Sequence, residues 1–413
     1  MNMKMRLFTT LSGRITKIAA PALALCLSLA APAIAQTSAE NDSPAVVDQT
    51  SSATERAVSC FYEAAIPVAL APGQAATSTV SGELCATPSE LRAGTTIQLL
   101  VQGATYNHDY WDFGMVDGRE YSYARDVAAH GFPTFAFDGI GSGASSHPQS
   151  EQVTVQSAAY VAHQIVQGLR SGSVTGIQFG KVIIVGHSLG STAVWEEAIS
   201  YADVDGVIIT GAAHSITTKF LTANALYPAV DDPKFANSGL DTGYLTTVPG
   251  VRSTLFYSFP DYDPAIIPVD EARKDVVSAS ELGTGIALVN STASVAIQVP
   301  VLTILGSNDF TTCGPNPQGG NFDCSSGALV ATQEFPFYSP KARIHGCVVP
   351  GSGHDLNLAV NHRLAAADAV AWSSAFVDQR SASGSNGFNG TDRGLPWNDG
   401  LPWNCGAPSA ESK

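Results

Sequence analysis

A serine flanked by glycines is the clearest chemical signal in this chain of 413 residues. The segment 186–190, Gly-His-Ser-Leu-Gly, matches the pattern Gly-x-Ser-x-Gly and lies between an apolar run at 181–185 and a helical pattern from Ser191. A sharp strand-to-helix turn exposes the hydroxyl of such a serine, and the helix N-terminus presents N–H groups to a developing anion. We therefore predict that Ser188 is a nucleophile. A phosphate-binding or purely structural glycine turn is the alternative.

A serine hydroxyl is a poor nucleophile until a base removes its proton, so Ser188 needs a partner. Among nine histidines, His354 lies in the glycine-containing segment 351–355, after the last predicted strand and before the last predicted helix. The glycines give this loop the freedom to reach the serine, and we predict that His354 is the general base. His187 adjoins the nucleophile, but its place in the turn directs it away from the hydroxyl.

An acidic residue is needed to orient the histidine, and it is expected at the end of a strand between the nucleophile and the base. Asp309 follows the apolar run 301–305 and meets this requirement. We predict that it holds the tautomer of His354 and stabilises the imidazolium. Asp355 and Asp323 are weaker candidates, since Asp355 adjoins the histidine and is badly placed to bond to its ring.

Acyl transfer also requires hydrogen-bond donors for the oxyanion that forms in the reaction. The backbone N–H of Leu189, the residue after the nucleophile, is the first predicted donor. The second is expected in the turn after the apolar run 97–101, where Ala104 is the preferred residue and Thr105 the alternative.

The elements that must position these residues are indicated by short apolar runs that alternate with helical patterns. Continuous runs of Val, Ile and Leu are typical of strands buried on both faces of a parallel sheet. The alternation predicts a doubly wound α/β sheet covered by helices. The predicted strands are 97–101, 134–137, 181–185, 206–210, 301–305 and 343–348, and the predicted helices are 121–130, 153–169, 191–201 and 356–377.

The interval from about 215 to 298 breaks this alternation. It is rich in Pro, Asp and Tyr and is much longer than an ordinary connection. We predict a lid or cap inserted over the carboxyl edge of the sheet, where ligands bind in open α/β sheets. Its aromatic residues either line an apolar or aromatic pocket or form the core of the lid.

Taken together, these motifs resemble those of the α/β-hydrolase superfamily, over roughly residues 90–378. The order Ser188, Asp309, His354 is similar to the order in that family, as is the glycine-rich turn 138–143 after a strand. The resemblance implies a mostly parallel eight-stranded sheet with the lid after the sixth strand, hydrolysis of esters and related bonds, and no cofactor. One departure is Gln102-Gly, where many members have His-Gly.

The first 35 residues are predicted to be an export signal, because a basic start and an apolar stretch lead to a small-x-small pattern that ends at Ala35. A membrane anchor is the alternative, but the apolar stretch is short and interrupted by proline. We expect cleavage near Ala35 and a secreted or periplasmic protein. The predicted parts of the mature chain are a disordered linker at 36–53, a hydrolase domain at 54–380 and a Gly/Ser/Asn-rich tail at 381–413.

Six cysteines follow the predicted export signal, and an even number in an exported chain indicates disulfides. Six cysteines allow 15 pairings. The pairings that we predict are Cys60 with Cys85, Cys313 with Cys324, and Cys347 with Cys405. A zinc site is disfavoured, because the sequence contains neither a Cys-x-x-Cys nor a His-x-x-x-His pair.

The charge of the mature chain argues against nucleic acid and anionic membranes as partners. Without the four basic residues of the export segment, 17 basic residues stand against 36 acidic ones. A net charge near −19 repels phosphate groups and anionic headgroups.

These observations predict a carboxylic-ester hydrolase that works through an acyl-enzyme on Ser188. Its expected substrate is a small, apolar or aromatic ester, and no stable membrane anchor is expected. A lactonase, a lipase or a peptidase would use the same three residues and remains an alternative. A non-catalytic binding protein on a hydrolase scaffold is a third possibility, which a fluorophosphonate probe would separate from the enzymes.

Overall fold

The computed structural model describes residues 57–378, in which a mixed eight-stranded sheet forms the centre. Numbered in chain order, the strands of this sheet lie side by side as β1-β2-β4-β3-β5-β6-β7-β8. Only β2 runs antiparallel to its neighbours, and the other neighbouring pairs are parallel. The strands β1–β8 are Ser59–Val68, Ser78–Ala86, Thr96–Val101, Thr134–Phe137, Lys181–His187, Gly206–Thr210, Val301–Gly306 and His345–Val349.

Helices cover both faces of the sheet. Within the described residues, α1–α9 are Tyr123–Ala128, Val155–Ser171, Leu189–Ser200, Thr218–Leu221, Arg252–Leu255, Ile266–Arg273, Ala279–Val289, Gly327–Glu334 and Arg363–Ser373. The apolar sides of α2 and α3 pack into one core, and those of α1 and α9 pack into the core on the opposite face.

The central strands are mostly apolar because both of their faces are covered. All six residues of β3 are buried, and successive side chains alternate between the two cores. Leu99 belongs to the core that contains α2 and α3, whereas Leu100 belongs to the core that contains α1 and α9. The predicted α/β sheet and its six apolar strands are therefore confirmed.

The structure differs from the predicted elements at their ends, within the last predicted helix and in the N-terminal strands. The predicted helix 356–377 is divided into a 3₁₀ turn at Leu356–Leu358, the helix α9 and a π-helical turn at Ser374–Asp378. The edge strand β1 is largely exposed and has an irregular register near Glu63, so it lacks the apolar run by which the inner strands were identified.

A long insertion separates β6 from β7. It contains the helices α4–α7 and a three-stranded antiparallel sheet formed by Leu226–Pro228, Tyr244–Thr247 and Val277–Ser278. In chain order β6 is the sixth strand of the main sheet. Two small hairpins lie elsewhere, one formed by Asp112–Val116 with Arg119–Ser122 and one by Gly314–Pro315 with Asn321–Phe322.

Two of the three predicted disulfides are present. Cys60 in β1 is bonded to Cys85 in β2, and Cys313 is bonded to Cys324. The third predicted partner, Cys405, lies outside the described residues, as do the predicted export signal, the linker and the C-terminal tail. From residue 57 to residue 378, no helix has the length and apolar character of a bilayer span.

We predict that loss of the Cys60–Cys85 bond destabilises the fold, because the bond closes a sequence separation of 25 residues in the unfolded chain. In the Cys60→Ala/Cys85→Ala variant, the free energy of unfolding should fall by roughly 3 kcal/mol. Urea denaturation of the oxidised protein measures this value. The Cys313→Ala/Cys324→Ala variant is the matched control and should lose less, since that bond spans 11 residues. Equal stability of the wild type and the Cys60/Cys85 variant would contradict the prediction.

Candidate active site

Ser188 lies at a sharp turn between β5 and α3, in a backbone conformation that residues other than glycine rarely adopt. Its φ is 53° and its ψ is −121°, which costs about 1–3 kcal/mol. The Ser188 N–H donates a hydrogen bond of 2.8 Å to the carbonyl oxygen of Thr210 in β6. The turn is thereby fixed to the neighbouring strand, with the serine at the carboxyl edge of the sheet.

The glycines on either side of this turn are required by close approaches. A Cβ atom at Gly186 would lie 2.5 Å from the Cα atom of Ser191, and one at Gly190 would lie 2.2 Å from the carbonyl oxygen of Gln102. Both distances are far below van der Waals contact. The Gly-x-Ser-x-Gly spacing therefore follows from the packing of the helix start against the strand edge.

The structure brings together the three residues predicted from the sequence. Nε2 of His354 lies 2.8 Å from Oγ of Ser188, and its Nδ1 lies 2.9 Å from Oδ2 of Asp309. Thr311, which the sequence analysis did not identify, donates from its hydroxyl to Oδ1 of Asp309 over 2.6 Å and from its N–H over 2.9 Å. A Thr two positions after an Asp is a typical local turn and is the signal from which this contact follows.

The charges at the site favour an ionised aspartate beside the imidazole. Burial alone would raise the pKa of Asp309, but the His354 charge and hydrogen bonds from His354 and Thr311 outweigh it, and the pKa is lowered. For His354, burial lowers the pKa, while the charge and the hydrogen bond of Asp309 raise it more, so the net direction is upward. The pair is thus suited to hold a proton on His354 while Asp309 stays charged.

Asp355 and Asp323, the alternative candidates to Asp309, lie in other environments. Asp355 is buried, accepts a short hydrogen bond from the hydroxyl of Tyr106, and lies 3.4 Å from Nε2 of His187. Burial raises the pKa of Asp355 to about 6. Asp323 lies on the surface and accepts a hydrogen bond from the backbone of Ser325. Neither carboxylate makes a hydrogen bond to His354 within the described part of the chain.

His187 lies beneath the turn and not beside the hydroxyl of Ser188. Its ring stacks on Tyr110 with a centroid distance of 4.3 Å, and its Nδ1 lies 3.1 Å from the hydroxyl oxygen of Thr210. Burial, followed by the charge of His354, lowers the pKa of His187 well below its ordinary value. A neutral imidazole in this position supports the turn without competing for the proton of Ser188.

The two predicted oxyanion donors border the same cavity as the serine. Ala104 and Leu189 both line the space next to Ser188. The loop that carries Ala104 approaches very closely, because a Cβ atom at Gly103 would lie 3.0 Å from Cβ of Ser188. The structure therefore places a main-chain segment from each of the two predicted sources beside the hydroxyl.

Gln102, the residue that replaces histidine in the usual His-Gly pair, braces this loop. The side-chain amide is oriented so that both its nitrogen and its oxygen form hydrogen bonds. The nitrogen donates to the carbonyl oxygen of Phe137 over 2.8 Å. Its oxygen then accepts hydrogen bonds from the hydroxyl of Ser142 and from the N–H of Gly139. The glycine-rich turn after β4 thus fixes the loop on which Ala104 lies.

A buried ion pair from the insertion holds the other side of the loop. Arg252, which is fully buried, donates from Nε and Nη2 to the two carboxylate oxygens of Asp270 over 2.8 Å each. Its Nη1 donates to the hydroxyl of Thr105 over 2.9 Å. Thr105 has a φ of 62°, a strained value for a β-branched residue, so this contact helps to fix the backbone directly after Ala104.

This ion pair is also connected to the residue after His354. The guanidinium of Arg252 lies over the ring of Tyr106, 4.2 Å from its centroid, and the Tyr106 hydroxyl contacts both Asp270 and Asp355. This network was not predicted from the sequence. Its members are far apart in the chain and show no regular spacing, so no sequence signal identifies it.

Two mostly apolar cavities meet at Ser188. The first encloses about 520 Å³, open space at its mouth included, and the second encloses about 430 Å³. Side chains of the insertion line both of them. The first is lined in part by Ala212, Ile216, Phe220, Leu282, Ile286 and Val289, and the second in part by Tyr106, Phe220, Ala225, Leu226, Leu255 and Phe256.

The chain belongs to the alpha/beta hydrolase family, whose family model matches residues 98–367. A search of curated protein sequences finds no match. Among solved structures, the chain is similar to a monoacylglycerol lipase of Paleococcus ferrophilus, with 18% identity over 67% of this chain and 90% of that chain and a TM-score of 0.41. It is also similar to a thermophilic esterase of Thermogutta terrifontis, with 16% identity over 72% and 93% of the two chains and a TM-score of 0.45.

We predict that the pKa of His354 lies above its ordinary value of about 6.5 and depends on Asp309. In Asp309→Asn the carboxylate charge is lost while burial remains, so the pKa should fall below 6.5. NMR titration of the imidazole protons measures both values. Asp323→Asn is the control and should leave the pKa unchanged. An unchanged pKa in Asp309→Asn would contradict the assigned pairing.

Proposed function

We propose that this protein is a secreted serine hydrolase that cleaves carboxylic esters through Ser188, His354 and Asp309. The observation that carries the proposal is the continuous chain of contacts from the Ser188 hydroxyl through both ring nitrogens of His354 to the buried carboxylate of Asp309. Such a chain lets the imidazole accept the serine proton while the carboxylate stabilises the resulting charge.

In the proposed reaction, Oγ of Ser188 attacks the ester carbonyl carbon while Nε2 of His354 removes its proton. The backbone N–H groups of Leu189 and Ala104 donate to the oxyanion of the tetrahedral intermediate. His354 then protonates the departing alkoxide, which leaves an acyl group on Ser188. A water molecule, deprotonated by His354, hydrolyses this acyl-enzyme and restores the serine.

The substrate class follows from the two cavities that meet at Ser188. Their linings are mainly aliphatic and aromatic, so they favour uncharged groups on both sides of the scissile carbonyl. We therefore propose a small ester with an apolar acyl group and an apolar or aromatic alcohol. The insertion acts as a lid in this proposal, because Phe220 and Leu282 close parts of both cavities.

A binding protein without activity would have no use for the strain at Ser188. That backbone conformation costs stability and serves to present the hydroxyl to His354. For secretion, the sequence of residues 1–35 and the two disulfides are the supporting observations.

The proposed function is tested by hydrolysis of p-nitrophenyl acetate, butyrate and palmitate by the mature, oxidised protein. Ser188→Ala should lower kcat by about 10⁴-fold or more, because the nucleophile is removed. Ser200→Ala, at the far end of the same helix, is the matched control and should retain activity. If the wild type hydrolyses none of the esters and also resists a fluorophosphonate probe, the proposed function is wrong.

The Arg252–Thr105 contact gives a second prediction, on the rate of the chemical step. Thr105→Val keeps the shape and β-branching but removes the hydroxyl that fixes the loop beside Ala104. Loss of a whole oxyanion donor costs about 10²–10³-fold in kcat, so we expect a decrease of roughly tenfold with little change in KM. Steady-state kinetics measure both parameters.

Thr105→Ser is the control for this prediction, since it keeps the hydroxyl and should retain most of the activity. A Thr105→Val enzyme that is folded and has wild-type kcat would show that the contact does not support the reaction.

A further inference from the structure

A second group of converging polar side chains lies away from the candidate active site. It consists of His163 in α2, Glu197 in α3 and Asp203 in the loop between α3 and β6, and we refer to it as the His163 cluster. One potential ligand atom of each residue lies within 4.8 Å of the others. Glu197 is nine residues beyond Ser188 on the same helix, about 13 Å along the helix axis. The cluster therefore takes no part in the site of Ser188.

Glu197 is the unusual member of the cluster. Its side chain is fully buried, and with the carboxyl groups ionised neither of its oxygen atoms has a hydrogen-bond partner among the described residues. The Oδ1 atom of Asp203 also lacks one within that part of the chain. Buried carboxylate oxygens without donors are rare in proteins, because the loss of their hydration is not compensated.

The neighbouring donors already have other acceptors. Arg170 donates to the backbone carbonyl of Asp203 and forms an ion pair with Asp205. Gln167 donates to Oδ2 of Asp203, and Nδ1 of His163 lies 2.9 Å from the same oxygen without hydrogen-bond geometry. The carboxylate oxygens of Glu197 and Asp203 can thus be compensated by either a shared proton or a bound cation.

A proton shared by the two carboxyl groups is the simpler occupant. Burial, together with the adjacent Asp203, raises the pKa of Glu197 to about 10, so a proton is retained at neutral pH when no cation is present. A shared proton would satisfy one oxygen of each group. It would leave Nδ1 of His163, which lies 2.9 Å from Oδ2 of Asp203, without a hydrogen bond among the described residues.

We propose that the His163 cluster binds a divalent transition-metal ion of the zinc class. The ligands would be the imidazole nitrogen of His163 and one carboxylate oxygen each from Glu197 and Asp203. One nitrogen and two oxygen ligands suit Zn²⁺, whereas Ca²⁺ prefers a shell of oxygen atoms alone. Binding would displace the proton from Glu197 and neutralise both carboxylates.

The surroundings of the cluster fit an ion that enters from solvent. The ring of His163 stacks on Tyr201 with a centroid distance of 4.1 Å, which fixes its orientation. The side chains of His163 and Asp203 are 23% and 18% exposed, so water can reach the ion and complete its coordination. An ion in this position would join α2 to α3 and to the loop before β6, and would therefore stabilise the fold without entering the reaction.

The test uses the full mature chain without an affinity tag, equilibrium dialysis against Zn²⁺, and thermal unfolding with and without the ion. The wild type should retain one zinc ion per chain and gain several degrees in Tm. Glu197→Gln should lose both effects while remaining folded, because a neutral amide resembles the protonated carboxyl group. His147→Gln, which removes an exposed histidine elsewhere, should behave like the wild type.

Two results would overturn the proposal. If Zn²⁺ neither binds to the wild type nor raises its Tm, the carboxyl groups share only a proton. If Glu197→Gln binds Zn²⁺ as well as the wild type does, the ion occupies another place, such as the imidazoles near Ser188. Inhibition of ester hydrolysis by Zn²⁺ in both proteins would identify that second case.

Discussion

The backbone of Ser188 is the constraint on which the rest of the site depends. A positive φ at a residue with a Cβ atom is stable only where the surrounding structure fixes it, and here β5, β6 and α3 do so together. The sharp turn aims the hydroxyl at the carboxyl edge of the sheet. Both the loop of Ala104 and the loop of His354 reach that edge, because they follow the parallel strands β3 and β8.

The insertion contributes buried polar contacts at this edge of the sheet. Its buried Arg252–Asp270 pair contacts Thr105 and Tyr106, and Tyr106 contacts Asp355. The residues next to Ala104 and next to His354 are thus held by one polar network. A buried charge pair of this kind is costly to desolvate, and a role in fixing two loops in a single arrangement is a reason for it to be retained.

Much of the fold could be predicted from the sequence because its signals are local. Strands buried on both faces are visible as apolar runs, and the turn of Ser188 is visible as a glycine pattern with a steric cause. The predicted positions of His354 and Asp309 follow from the parallel order of β7 and β8. By contrast, β1 is an exposed edge strand in which polar and apolar residues do not alternate regularly. Its place in the sheet depends on pairing with β2.

The parts that sequence analysis missed are those fixed by packing between distant segments. Arg252 meets Thr105 across 147 positions of the chain, and no period or motif relates the two residues. The same is true of the His163 cluster, whose members come from two helices and a loop. Such contacts are set by how α2, α3 and the insertion are arranged on the sheet, which local patterns do not specify.

The most direct test of the account is to identify the residue that carries the acyl group during turnover. The wild type is mixed with p-nitrophenyl acetate, quenched rapidly in acid, digested and analysed by mass spectrometry. We expect an acetyl group on the peptide that contains Ser188, and none on that peptide in the His354→Ala variant under the same conditions. Turnover of the ester with the acetyl group on a residue other than Ser188 would contradict it.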